Sequence, residues 1–208
     1  METTWALLQL SYFKGLQWIQ GPAQRTSIPR HKTYVPIFDQ LYSFLFEPPT
    51  LITDNIYLGN AFHASCQSVL NHHNIGAILN VSGEIPCFFP QEYTYLWLNV
   101  NDDTQATLQP YFDQAYTFIR EQQTLHPDKR ILIHCYMGAS RSASIMAYYL
   151  MRKLAYTRDA AVSYLEDKRP VVNINQAFLA QLAQLEIGAI PEQQLMSTLS
   201  SPLRIPSR

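Results

Sequence analysis

The chain has 208 residues and a formal net charge of −1. Its length allows one domain with a buried core plus an extension, and its charge gives no electrostatic reason to expect nucleic acid or an anionic membrane surface as a partner. The three cysteines, Cys66, Cys87 and Cys135, have no framework spacing, so free thiols in a reducing compartment are expected. No apolar run reaches the length of a membrane span, and Met1-Glu2 lacks the basic start of a signal peptide. We therefore expect an intracellular protein in the cytoplasm, with the nucleus as the alternative location.

Residues 1–48 are predicted to be an aromatic-rich, helical N-terminal extension. Apolar residues recur at helical spacing from Trp5 to Ile19, and a second helical pattern runs from Ile37 to Phe46. Two helices packed on the body are the favoured interpretation. A docking or homodimerisation arm, or a shallow membrane contact, is the alternative.

From residue 49 to residue 188 short strands alternate with helices. The pattern predicts strands at 55–59, 75–81, 93–100 and 131–133, and helices at 63–74, 108–122, 142–153, 158–168 and 175–187. This alternation predicts an α/β fold with a mostly parallel central sheet flanked by helices. Ligands of such sheets bind beyond the carboxyl ends of the strands. The Ser/Pro-rich residues 189–208 are expected to form a loose C-terminal tail.

The stretch from Arg130 to Ser142 combines a strand, a loop with one glycine, and a helix start. Such a junction binds anions because backbone N–H groups converge there with the positive end of the helix. Five residues separate Cys135 from Arg141. One loop can therefore place the sulfur beneath a phosphorus atom and the planar guanidinium beside two of its oxygens. The same groups are expected to hold Cys135 as a thiolate nucleophile.

The motif H-C-x-x-G-x-S-R-S, residues 134–142, resembles the active-site signature of the dual-specificity phosphatases of the protein tyrosine phosphatase superfamily. Similarity extends over about residues 50–187 and includes 55–61, 78–82, 168–170 and Asn175 with Gln181-Leu182. The resemblance implies a phosphatase-type fold, a catalytic domain at 49–188, and phosphoproteins carrying phosphotyrosine or phosphoserine/threonine as substrates. It also implies that Asn175 hydrogen-bonds the phosphate loop. One departure is Ile174, where the family usually has proline.

Thiolate-based hydrolysis of a phosphomonoester assigns a role to each residue of the motif. Cys135 attacks in line and forms a cysteinyl-phosphate. Ser142 can donate its hydroxyl to the sulfur and ease its departure, and His134 is expected to be buried against backbone, where it holds the loop. The substrate's equatorial oxygens are expected to be held by the Arg141 side chain and by the backbone N–H groups of Tyr136, Met137, Gly138, Ala139, Ser140 and Arg141.

The general acid must come from a separate loop, and Asp102 and Asp103 follow a predicted strand. Adjacent residues of an extended loop point in opposite directions, so only one of them fits the role. In the dual-specificity pattern the acid precedes the aromatic pair that opens the next helix by a fixed interval, and counting back from Tyr111-Phe112 gives Asp102. Asp103 is then expected to be a loop residue that hydrogen-bonds nearby backbone; two ordinary turn residues are the alternative.

The sequence predicts no metal site and no cofactor. His72 and His73 are adjacent on a predicted helix end and point apart, which disfavours a shared metal ion. Cys87 is expected to be an ordinary buried thiol, with a protective disulfide to Cys135 under oxidation as the alternative; a redox role for Cys66 is left open.

Two other functions compete with protein dephosphorylation. A phosphoinositide or other non-protein phosphomonoester phosphatase is the first, but the signature loop carries no lysine to meet additional phosphates. A non-catalytic phosphoprotein-binding module is the second. It is disfavoured because Cys135, Arg141, Ser142 and an aspartate are all present, and binding alone has no need for all four.

Overall fold

The computed structural model describes residues 47–53 and 55–185. The helices predicted within the N-terminal extension and the predicted C-terminal tail lie outside these described residues. The described part of the chain has an α/β architecture in which helices cover both faces of one sheet.

The described residues form a five-stranded sheet with the order β1-β2-β5-β3-β4. The strands are β1 (Thr50–Thr53), β2 (Ile56–Gly59), β3 (Ile75–Asn80), β4 (Thr94–Trp97) and β5 (Arg130–His134). Only the β1–β2 pairing is antiparallel, and the β2–β5, β5–β3 and β3–β4 pairings are parallel. The predicted α/β fold with a mostly parallel central sheet is therefore confirmed.

The central strands bury both faces of the sheet, as their continuous apolar runs require. Along β5, Ile131 and Ile133 join the larger core cluster, and Leu132, between them, joins the smaller one on the other face. Successive side chains of a strand point to opposite faces, so this alternation follows from a run of three apolar residues.

Two short helices cover the smaller cluster: α1 (Ala61–Ser65) and α2 (Gln67–His72) contribute Ala64 and Leu70. The larger cluster is covered by α3 (Phe112–Leu125), α4 (Arg141–Leu154), α5 (Arg158–Lys168) and α6 (Gln176–Ala183). A short 3₁₀ turn, Gln109–Tyr111, with Pro110 in its first turn, leads into α3. The helix predicted at 158–168 is present with the predicted ends, and the helices predicted at 108–122, 142–153 and 175–187 are present with shifted ends.

Three elements differ from the sequence prediction. The helix predicted at 63–74 is two helices, because Cys66 takes an extended conformation between them and the Ser65 hydroxyl bonds to the Phe62 carbonyl at 3.0 Å. The strand predicted at 93–100 is only four residues long, and its last predicted residues form the loop that follows β4. Strand β1 was missed because its pattern contains a single buried residue, Ile52.

The parallel strands bring four loops to one edge of the sheet. Strands β2, β5, β3 and β4 are neighbours that run in the same direction, so the segments after Gly59, His134, Asn80 and Trp97 all emerge at their carboxyl ends. Ligand sites of such sheets lie at this edge.

Candidate active site

The signature loop leaves the middle of the sheet. Strand β5 ends at His134, residues 135–140 form the loop, and α4 begins at Arg141. Cys135 is only 1% exposed, because the strand on each side of β5 and the helix after the loop enclose it. A buried sulfur at a helix N-terminus lies where backbone N–H groups and the helix dipole favour negative charge.

Two donors point at the Cys135 sulfur. The backbone N–H of Gly138 lies 3.3 Å from Sγ, and the Ser142 hydroxyl lies 3.2 Å away. Gly138 has a φ of 70°, a left-handed conformation that favours glycine. A Cβ at this position would also collide with the carbonyl of Gly59. The loop can therefore curl around the sulfur only with glycine at position 138.

Arg169 supports the loop from behind and is 1% exposed. Its Nε donates to the Gly138 carbonyl at 3.2 Å, and its Nη2 donates to the Met137 carbonyl at 3.3 Å. Burial lowers the pKa of this guanidinium. The sequence prediction gave Arg169 no role; the only available signal was its place in the Lys168-Arg169-Pro170 stretch.

Arg141 begins α4, and its side chain is 5% exposed. Its Nη1 and Nη2 atoms each lie 2.6 Å from an oxygen of the Glu84 carboxylate, and Nη1 also donates to the Val100 carbonyl at 3.0 Å. Burial acts to lower the pKa of Arg141, but the hydrogen bonds to Glu84 and the charges of Cys135, Glu84 and Asp102 outweigh it, so the pKa is raised. Glu84 was not among the predicted site residues, because one acidic residue in a loop carries no recognisable signal.

Asp102 turns toward the signature loop. Its Oδ1 accepts hydrogen bonds from the Ser140 hydroxyl and from the Asn175 side-chain amide, both at 2.8 Å, and its Oδ2 lies 3.4 Å from Arg141 Nε. Asp103 turns away, and its exposed carboxylate accepts the backbone N–H of Gln105 at 2.8 Å. The structure thus places Asp102 beside the loop and Asp103 in a local turn.

Asn175 joins the loop to helix α6. Its side-chain oxygen accepts the Phe178 N–H at the start of α6, and its backbone N–H donates to Ser140 Oγ at 3.3 Å. Ile174, which stands where the family usually has proline, is buried in the larger core cluster. The asparagine therefore reaches the loop without a proline immediately before it.

His134 is fully buried, and its Nδ1 lies 3.3 Å from the Cys135 carbonyl. Burial lowers the pKa of His134 to about 4, so the imidazole is neutral at physiological pH. Tyr136, by contrast, is 44% exposed. The loop therefore combines a buried anchor with an exposed aromatic side chain.

The remaining candidate residues lie apart from this cluster. Cys66 and Cys87 are free thiols, as Cys135 in the loop is. Cys87 is half-buried and not fully buried as expected, and burial raises its pKa. Within residues 47–53 and 55–185, no group of three His, Cys, Asp or Glu side chains is placed to share a metal ion. None of the helices in the same ranges is long and apolar enough to cross a membrane.

A buried cysteine in a loop between a central strand and a helix, followed by arginine and serine, combines an anion-binding helix N-terminus with a side chain that can act as a nucleophile. Residues 56–187 match the family model described as the dual specificity phosphatase catalytic domain. The chain belongs to this family of cysteine-based, metal-independent protein phosphatases.

Relatives and solved structures agree with this assignment. Dual specificity protein phosphatase 1 of Arabidopsis thaliana is 36% identical over 149 residues, which cover 72% of this chain and 74% of that protein. The Slingshot homolog of Xenopus laevis is 34% identical over 161 residues, 76% of this chain but only 23% of the relative. The chain thus spans about a quarter of the Slingshot protein.

Two crystal structures share the fold. The human tyrosine phosphatase-like serine/threonine/tyrosine-interacting protein has a TM-score of 0.61 and 26% identity, with coverage of 67% of this chain and 96% of that one. DUSP15 has a TM-score of 0.66 and 22% identity, with coverage of 74% and 97%.

Proposed function

We propose that this protein dephosphorylates phosphotyrosine and phosphoserine/threonine in proteins through a cysteinyl-phosphate intermediate. One observation carries the proposal: the Cys135 sulfur lies within reach of the Gly138 N–H and the Ser142 hydroxyl, in a loop that leads directly into Arg141. Such donors favour the thiolate, which is the nucleophilic form of cysteine.

In the first step the Cys135 thiolate attacks phosphorus, and the bond from phosphorus to the ester oxygen breaks. Arg141 and the loop N–H groups hold the equatorial oxygens while charge builds up on them. Asp102 protonates the leaving oxygen, so that an alcohol or a phenol departs. Its position beside Ser140 and Asn175 supports this role.

In the second step a water molecule attacks the cysteinyl-phosphate. Asp102 takes the proton of that water, the bond between sulfur and phosphorus breaks, and inorganic phosphate leaves. The Ser142 hydroxyl donates to the sulfur as negative charge returns to it, because it already lies 3.2 Å from Sγ.

The proposed substrate class is based on the family, and the proposed cellular compartment is based on the thiol chemistry. The match to the dual specificity family and the similarity to the plant phosphatase support phosphoproteins over phosphoinositides or other small phosphomonoesters. A catalytic thiolate requires a reducing compartment, so we place the protein in the cytoplasm or the nucleus. Residues 1–48 are proposed to pack on the body or to serve a homodimer or a docking partner.

The test is hydrolysis of a simple aryl phosphate in the presence of excess chelator. Cys135→Ser should abolish turnover, because serine does not ionise in the same environment. Cys66→Ser is the matched control and should keep full activity, since its sulfur lies 3.2 Å from the Ser68 hydroxyl in an exposed hydrogen bond. Near-normal turnover by Cys135→Ser would contradict the mechanism, as would activity lost to the chelator and restored by a divalent ion.

A panel of phosphopeptides and phosphoinositides then tests the substrate class. We expect hydrolysis of peptides bearing phosphotyrosine and of peptides bearing phosphoserine or phosphothreonine. Faster hydrolysis of a phosphoinositide would favour a lipid substrate. Binding of phosphopeptides without release of phosphate would favour a binding module instead.

A further inference from the structure

The Arg141 guanidinium has two of its three hydrogen-bonding sides occupied by the protein. Glu84 takes the Nη1–Nη2 side through two hydrogen bonds of 2.6 Å, and the Val100 carbonyl takes the other N–H of Nη1 at 3.0 Å. The third side, formed by Nε and Nη2, remains. Nε is buried and has no hydrogen-bond partner among the described residues, with Asp102 Oδ2 3.4 Å away in an ion pair.

This remaining side has the geometry that binds two phosphate oxygens. A guanidinium presents parallel N–H bonds on its Nε–Nη2 side just as it does on its Nη1–Nη2 side. Glu84 and a phosphoryl group can therefore bind Arg141 at the same time. The Asp102 ion pair at 3.4 Å does not give Nε a hydrogen bond. A buried N–H without a hydrogen bond costs free energy, which a ligand that accepts from this side would recover.

The segment that carries Glu84 is held at several points. The Gly83 N–H donates to the Val100 carbonyl at 3.2 Å, and the Trp97 indole donates to the Ser82 carbonyl at 2.7 Å. On the other side, the Asn80 amide donates to the Ile85 carbonyl at 2.7 Å. A carboxylate on so restrained a segment can fix the direction of the side chain it binds.

The Val100 carbonyl links the two residues further, since it accepts hydrogen bonds both from Gly83 and from Arg141. The hydrogen bond from Arg141 is also the largest cause that lowers the pKa of Glu84. Glu84 is therefore ionised at neutral pH, when the site operates.

We propose that Glu84 is a positioning residue that fixes the Arg141 guanidinium so that its Nε–Nη2 side meets the phosphoryl group. The proposal rests on the function proposed above, because it takes phosphate as the ligand of Arg141. The Glu84 charge by itself repels a phosphate dianion, so its contribution is orientation. A group already held in the reactive geometry loses no rotational freedom when substrate binds.

The opposite role for Glu84 is a competitor that phosphate must displace from Arg141. The two roles predict opposite effects on affinity. Removal of a positioning carboxylate weakens phosphate binding, whereas removal of a competitor strengthens it. The affinity for inorganic phosphate therefore separates them.

The experiment compares Glu84→Gln with Glu92→Gln as the matched control. Glu92 lies in the same β3–β4 connection, and its carboxylate accepts a hydrogen bond from the Gln67 side chain at the start of α2. Each protein is assayed for kcat and KM on an aryl phosphate and for the inhibition constant of inorganic phosphate. KM and the inhibition constant depend only on the folded molecules. A partly unfolded sample therefore leaves both of these constants unchanged.

We expect Glu84→Gln to reduce kcat/KM on the order of 10- to 100-fold and to weaken phosphate inhibition roughly 10-fold. Glu84→Asp retains a carboxylate on a shorter stem and should recover part of the loss. Glu92→Gln should match the unaltered protein. Unchanged or tighter phosphate binding by Glu84→Gln, with or without a lower melting temperature, would overturn the proposal.

The same comparison works if the unaltered protein fails to hydrolyse substrate. A ligand that binds only the folded protein stabilises it by RT ln(1 + [L]/Kd), so the rise in melting temperature with added phosphate gives the affinities without catalysis. In that case the proposed function fails, and the difference between the unaltered protein and Glu84→Gln still decides the role of Glu84.

Discussion

At the scale of single residues, Asp102 and Asp103 are neighbours in the chain whose carboxylates have different surroundings. Asp102 accepts hydrogen bonds from Ser140 and Asn175, and Asp103 closes a turn on Gln105. The two side chains are chemically identical, so the hydrogen bonds that each carboxylate makes in the fold distinguish them. Asp102 is accordingly the proposed acid, and Asp103 is the natural control.

Asp102→Ala should lower kcat by roughly 10²- to 10⁴-fold for a poor leaving group. The loss should be much smaller for an activated aryl phosphate, whose leaving group departs without a proton. The rate of the unaltered protein should fall on the basic side of the pH profile, and Asp102→Ala should remove this fall. Asp103→Ala should change little, and a reversal of the two phenotypes would make Asp103 the acid.

Arg141→Lys tests the role of the Arg141 guanidinium, which lies beside Asp102. Lysine keeps the positive charge but cannot form two parallel hydrogen bonds with phosphate while it also bonds to Glu84. We expect a severe loss of kcat with the fold retained. Arg158→Lys is a control on the surface of α5, where the guanidinium pairs with Asp159. Near-normal kcat for Arg141→Lys would show that charge alone suffices.

At the scale of secondary-structure elements, α6 holds the loop that carries Asp102. The Gln181 side-chain oxygen accepts the backbone N–H groups of Leu108 and Gln109 at 2.7 and 3.1 Å, and its amide donates to the Ala106 carbonyl at 3.0 Å. One side chain thus ties a helix near the end of the domain to the segment between Asp102 and α3.

Gln181→Ala should loosen this loop. Loss of the hydrogen bonds leaves backbone groups without partners at the start of the 3₁₀ turn and should cost about 1–3 kcal/mol of stability. Displacement of Asp102 should reduce kcat more for poor leaving groups than for activated ones. Gln184 is an exposed residue just beyond α6. Gln184→Ala should leave kcat unchanged for substrates with poor leaving groups and for substrates with activated ones. Equal loss for all leaving groups would mean that α6 does not act through the acid.

At the scale of the whole molecule, the start of the domain is tied to its centre. The Glu47 carbonyl lies 2.8 Å from His63 Nε2, and the Thr50 hydroxyl accepts from Arg169 at 3.3 Å. The residues before Phe46 carry none of the proposed catalytic groups. We therefore expect the N-terminal extension to be dispensable for the chemistry.

A chain that begins at Phe46 should keep kcat on a small aryl phosphate. A chain that begins at Leu51 loses the Glu47 carbonyl and the Thr50 hydroxyl, and should melt at a lower temperature. Thermal unfolding and kcat of both chains give the comparison. A folded but inactive chain from Phe46 would show that the extension shapes the site.

Two buried histidines make stability depend on pH. Burial lowers the pKa values of His63 and His134 from 6.5 to about 4. Between pH 6.5 and pH 4 the unfolded chain binds protons that the folded chain does not, so the free energy of unfolding falls as the pH drops. Each histidine should remove roughly 2 kcal/mol between pH 7.5 and pH 5.

Urea unfolding at pH 7.5 and pH 5 measures this difference. His63→Gln should be less dependent on pH than the unaltered protein, and the exposed His126→Gln should retain the full dependence. Equal stability of the unaltered protein at both pH values would show that the buried imidazoles are protonated within the fold.

The sequence by itself determined what depends on local patterns. The spacing of Cys135 and Arg141 lies within one loop, so the anion site could be predicted without knowledge of the fold. The apolar run of β5 and the periodicity of the helices depend only on neighbouring residues, and they predicted the mostly parallel sheet. The aspartate register was inferred from family spacing, and the structure places Asp102 beside the loop.

Only the tertiary structure decided which distant residues complete the site. Glu84 is 57 positions from Arg141, Arg169 is 31 positions from Gly138, and Gln181 is 73 positions from Leu108. Their partners depend on the strand order β1-β2-β5-β3-β4, which brings the loops after β3, β4 and β5 to one edge. The hydrophobic pattern that makes each strand does not specify its neighbours in the sheet, because any buried strand offers the same backbone hydrogen bonds to any other.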